Sequence, residues 1–140
     1  MKKLLISSLF LFSLSACPPL PRQVAFSKIE YQAFSRGSSQ YILLEKGSLK
    51  YVLNQRDTVT KKLQEHHYKA LYSLLKEIDL SALESLKVPS TKHQTDAALA
   101  ASLAIIDIHQ KEFVSPTFDD NNPPKEIKDL VEYLRGLTQE

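Results

Sequence analysis

QYILLEKGSLKYVLN, residues 40–54, reads as two strands and a turn, and the rest of the fold follows from it. Residues 40–45 and 48–54 flank Lys46-Gly47, a two-residue spacing suited to a tight hairpin whose glycine takes the left-handed conformation. With that turn Leu44 pairs with Leu49 and Ile42 with Tyr51, so four apolar side chains share one face. Tyr41, Leu43 and Val52 fall on the opposite face, mixed with Lys50. That second face is half apolar, and it is open to solvent, a partner or a second copy.

Upstream, residues 25–34 alternate in the same way, with Ile29, Tyr31 and Ala33 on one side and Lys28, Glu30 and Gln32 on the other. Residues 35–39 form the connecting loop. Downstream, Val59, Leu63, Ala70, Leu71, Leu74, Leu75 and Ile78 recur at helical intervals, which predicts a helix over 58–78 with Asp57, Thr58 or Thr60 as its cap. Leu80, Leu83 and Leu86 suggest a short further turn, and a polar loop containing Pro89 follows.

Residues 97–109 carry two signals, since AALAASLA favours helix while LAIIDI reads as a buried strand. The β-branched Ile105, Ile106 and Ile108 favour a strand from about Leu99, followed by a turn and a second strand over 113–117. Asn122-Pro123-Pro124 starts a final helix with Ile127, Leu130, Val131, Leu134 and Leu137 along its apolar stripe. The expected order is β-β-β-α-β-β-α: one α+β domain over 24–140, an antiparallel sheet of about five strands with two main helices on one face.

The chain opens MKKLLISSLFLFSLSAC, where Lys2 and Lys3 precede an apolar run over 4–14 and small residues lead to Cys17. Leu14-Ser15-Ala16-Cys17 resembles the lipobox of bacterial lipoproteins. That resemblance implies diacylglyceryl transfer to the Cys17 sulfur, cleavage after Ala16 and acylation of the new amino terminus. Residues 1–16 are then a signal peptide and 17–23 a lipidated, proline-rich tether. The apolar run is too short to span about 30 Å of hydrocarbon, so the expected attachment is an anchor, not a membrane span. No acidic residue stands at position 18, and by resemblance to enterobacterial sorting the outer membrane is expected over the inner.

The pieces SRGSSQYILLEKGSLKYVL, VPSTKHQTDAALAASLAI and FDDNNPPKEIKDLVEYL, within residues 28–135, resemble small envelope lipoproteins of Gram-negative bacteria. The resemblance implies a fold and a compartment, and it assigns no activity to any residue.

The chain has 18 Lys+Arg against 16 Asp+Glu, and two of the cations, Lys2 and Lys3, belong to the leader. The remaining charge is balanced without a basic tract, which argues against nucleic acid. Cys17 is the only cysteine, so its acylation removes disulfides and thiolate chemistry together. No HExxH, GxSxG or phosphate-binding glycine loop is present, and no cofactor or metal is expected.

Polar residues that could still carry chemistry are His93 and Asp96 in the STKHQTD loop, Asp107 and His109 two apart on a predicted strand, and Arg36 in the first loop. His67 falls near the apolar stripe of the predicted helix and His66 points away. Asp119, Asp120, Asn121 and Asn122 gather oxygens in one loop, but lack the calcium-loop pattern and suit capping and turns. The expectation is a lipid-anchored envelope module that binds a protein partner or its own copy without catalysis. The alternatives are a hydrolase or metal-dependent enzyme using His93, Asp96, Asp107 and His109, or a small-ligand or inhibitor module.

Overall fold

The computed structural model describes residues 26–140; the leader, Cys17 and the tether lie outside the described residues. The hairpin forms as its parity requires. β2 (Ser39–Glu45) pairs antiparallel with β3 (Ser48–Leu53), with Leu44 opposite Leu49 and Ile42 opposite Tyr51. Lys46 and Gly47 both take positive φ, 48° and 82°, the geometry that matches a two-residue turn to strand twist. A Cβ on Gly47 would also sit 3.0 Å from the Tyr68 hydroxyl, a tight contact beside the positive φ that calls for glycine.

β1 (Phe26–Phe34) lies against β2 on one side and β5 (Ala100–Asp107) on the other. The competing signals at 97–104 thus resolve to strand from Ala100, where small alanines let the central strands approach. The sheet is seven-stranded and antiparallel, in the order β4 (Val59–Lys62), β3, β2, β1, β5, β6 (Glu112–Val114), with β7 (Phe118–Asp119) also on β5. The α+β class is as the sequence indicates, but the sheet is larger than about five strands, for two local reasons.

The first is that residues 58–78 are not one helix. Val59–Lys62 forms β4 along the edge of β3, and α1 (Glu65–Lys76) begins only after Gln64. Thr58, Val59 and Thr60 have weak helix preference, and pairing satisfies backbone groups that β3 would otherwise expose. Asp57, Thr58 and Thr60 therefore cap nothing; the N-cap is Gln64, with no side-chain hydrogen bond.

The second is that the predicted strand over 113–117 is split into β6 (Glu112–Val114) and β7 (Phe118–Asp119). Pro116 has no N–H for the ladder. Ser115 bridges the break: its N–H donates to the Leu103 carbonyl at 2.9 Å and its hydroxyl accepts from the Leu103 N–H at 3.0 Å. The terminal helix also starts later than expected, since a 3₁₀ turn over Lys125–Ile127 precedes α2 (Lys128–Gly136) and Asn122 is not its cap.

Both helices pack on one face of the sheet. Ile29, Tyr31 and Ala33 of β1, Ile42 and Leu44 of β2, and Ala101, Leu103 and Ile105 of β5 share a core with Leu71 and Leu75 of α1 and Leu130, Val131 and Leu134 of α2. Among the described residues no helix covers the other sheet face. Among the described residues no helix is long and apolar enough to cross a membrane.

Leu103 is wholly buried at the centre of this core. Leu103→Ala is expected to cost about 2–5 kcal/mol in chemical denaturation without changing the denaturant slope. A loss well below that range would contradict the packing described.

Candidate functional site

The polar centre of the domain is built around Asp119, which β7 places at the end of β5, opposite Ala100. Its side chain is completely buried. Four donors converge on the carboxylate: the Ser90 hydroxyl at 2.5 Å, the Lys92 N–H at 2.9 Å, the His93 N–H at 2.8 Å and His93 Nδ1 at 2.5 Å. Asn122 Nδ2 donates in turn to the Ser90 hydroxyl at 2.9 Å. Burial by itself would push the Asp119 carboxyl up, but the bonds from Ser90, His93 and Lys92 outweigh it and hold it well below the usual carboxylate range.

Asp120 points to the other side of the same loop. It accepts from the Tyr31 hydroxyl in the core, and Arg135 of α2 stands 3.7 Å from its carboxylate while donating to its carbonyl at 3.3 Å. Burial, then the bond to Asp120, pushes the Tyr31 phenol far up, so it stays a neutral donor. Adjacent carboxylates thus tie the loop over 90–93 to β7 and β7 to α2.

His93 gains a defined tautomer from this arrangement. Two backbone N–H groups and a hydroxyl already need the Asp119 oxygens as acceptors, so Nδ1 carries the proton it shares with Asp119 and neutral His93 keeps its lone pair on Nε2. No side-chain hydrogen bond reaches Nε2, yet every buried side-chain polar atom among the described residues has a partner. Nε2 therefore reaches the surface, in a depression of about 320 Å³ lined also by Phe34, Ser35, Arg36, Asp96 and Ala98. Arg36 Nε lies 3.2 Å from Asp96 Oδ2, and Asp96 takes a left-handed φ of 56° closing the 3₁₀ turn Lys92–Thr95.

Arg36, His93 and Asp96 are thus together. Asp107 and His109 are not. Asp107 ends β5 and His109 follows it, so both are at the other end of an eight-residue strand, about 23 Å away. There Asp107 Oδ1 accepts the N–H groups of His109 at 2.8 Å and Lys111 at 2.9 Å, closing the turn into β6. His67 is buried between helices, with Nδ1 2.8 Å from the Tyr133 hydroxyl and Nε2 3.2 Å from Glu140, whereas His66 is exposed. Among the described residues no three His, Cys, Asp or Glu side chains are grouped to hold a metal ion. Asp119 stands out in the sequence only as one of four clustered oxygen-bearing residues suited to capping and turns; its role as a buried hub is not legible there, because Ser90 is 29 positions away and no local pattern joins them.

No family model, curated protein or solved structure matches the chain.

Asp119→Ala leaves Ser90, Lys92 and His93 donors without an acceptor and is expected to cost about 3 kcal/mol. Because the folded carboxyl titrates below its unfolded value, its contribution is present above about pH 4 and is lost as pH falls from there. Wild-type stability measured between neutral and acid pH should therefore fall more steeply than that of Asp119→Asn. Parallel curves for the two proteins would refute the assignment.

Proposed function

We propose that the chain is a lipid-anchored cell-envelope domain, attached through Cys17 with the outer membrane favoured over the inner, that binds another envelope protein without performing catalysis. The observation that carries the anchor is the Leu14-Ser15-Ala16-Cys17 motif behind a basic and apolar leader. The binding role is supported by the helix-free sheet face, on which Leu43 stands between Lys50 and Glu30 and Tyr41 between Val52 and Gln32. Ile106, Ala104 and Val114 continue this face across β5 and β6. A surface alternating apolar and charged side chains suits a non-obligate protein interface.

The enzyme alternative required His93, Asp96, Asp107 and His109 to meet, and their separation along β5 removes that composite site. A reduced form survives, a small polar ligand held at His93, and the Asp119–His93 pair favours it because such a pair fixes one ring nitrogen toward solvent. It would require a ligand whose binding shifts the His93 ring resonances and is lost in His93→Gln.

Cys17→Ser is expected to abolish acylation and to leave uncleaved precursor or a released soluble form, read by mass spectrometry of the mature amino terminus. An unmodified Cys17 in the native protein would overturn the anchor. Photo-crosslinkers at Leu43 and Ile106, introduced in the native envelope, should capture one reproducible partner from both sites. Recovery of monomer alone would overturn the binding role.

A further inference from the structure

Several elements converge where the described chain begins. Phe26 pairs with Asp107, so the segment arriving from Cys17 and the turn between β5 and β6 share one end of the sheet. Lys28 lies opposite Glu45 and Ser48 opposite Lys62, which brings the Lys46-Gly47 turn and the close of β4 to that end as well. The cleft behind it, about 230 Å³, is lined by Phe26, Tyr68 and Tyr72 beside Lys46 and Gly47, with the Phe26 and Tyr72 rings 5.5 Å apart.

This end carries charges of both signs. Lys28 is paired with Glu30, whereas Lys46, Lys62 and Lys111 are exposed and make no ion pair among the described residues. Lys111 spreads over the Phe113 ring, its ammonium 4.8 Å from the centroid. Asp107 accepts from the His109 and Lys111 N–H groups, and Glu45 and Glu112 stand at the same end without an ion pair among the described residues. In the same turn as Lys111, Ile108 has 56 % of its surface exposed. An exposed aliphatic side chain at one side of this end, lysines spread along it and aromatic rings behind match a bilayer's interfacial layer of phosphates over acyl chains.

We infer that this end of the sheet lies against the membrane, with Lys46, Lys62 and Lys111 on anionic lipid headgroups and Ile108 among them. The inference rests on the anchored reading. The stretch from Cys17 to Phe26 spans at most about 30 Å when extended, so the anchor keeps this end within reach of the bilayer. Tethering converts docking into an intramolecular step, and a weak contact then suffices. The far end, where Arg36 is already paired with Asp96, stands a strand length away.

The chain contains no tryptophan, so Ile108→Trp supplies a single reporter in the full-length acylated protein. In vesicles containing phosphatidylglycerol its emission should shift to the blue and be quenched by lipids brominated on the acyl chain; in pure phosphatidylcholine both effects should shrink. Replacing Lys46, Lys62 and Lys111 with glutamine in the reporter protein should lower the docked-to-undocked ratio about fivefold per lysine. Phe34→Trp, at the far end, should remain solvent-like. Solvent-like emission from Ile108→Trp in anionic vesicles would overturn the inference, as would equal shifts in both lipids or contact reported by Phe34→Trp instead. Vesicle flotation separates the two readings: protein that floats without a shift is anchored but not docked, while protein that fails to float removes the anchor and the docking with it.

Discussion

A buried carboxylate has to be surrounded by donors, and satisfying Asp119 organises much of this domain. Ser90, Lys92 and His93 approach it from a loop that has no core of its own, and their bonds fix where that loop crosses the end of β5. Asp120, one residue on, reaches the opposite way to Tyr31 and Arg135, joining the central strand to the last helix. Charge-assisted bonds of this kind are short and directional, so they specify one arrangement where apolar packing would tolerate several. The depression in front of His93 is a product of that order. It exists because the ring is held from behind.

What could be read from the chain alone follows the range of the interactions concerned. The hairpin at Lys46-Gly47 was legible because turn chemistry and strand parity are both local, and they agree. The stretch over 58–78 misled because Val59 and Leu63 keep a spacing of four, which suits a helix face, while the decisive term was the unpaired edge of β3. Pro116 was visible, but its consequence, a sheet that breaks at Ser115 and resumes at Phe118, depends on the Leu103 backbone across the ladder. At the site, His93, Asp96 and Arg36 were each recognisable as polar loop residues, whereas the pairing of His93 with Asp119 spans 26 positions and leaves no trace in composition.

The one-sided layering has a mechanical logic. Helices over one face bury Ile29, Tyr31, Leu103 and Ile105 completely, while the alternate residues Lys28, Glu30, Gln32 and Ser102 keep the other face wet. Lys28 closes on Glu30 at 2.7 Å and Gln32 Nε2 reaches the Ser102 hydroxyl at 3.0 Å, so this face is cross-linked by polar contacts even without a covering layer. Leu43, Val52 and Ile106 sit among those contacts as separated apolar points, not as a continuous greasy patch.

The edge strand β4 is four residues long, and its outer side has no neighbour among the described residues. An open edge invites another chain to continue the ladder. Lys61 and Lys62 stand on that edge, so two copies meeting there would press their ammonium groups together before backbone bonds could form. Lysine on a short edge strand is the kind of feature that disfavours fibre-like association.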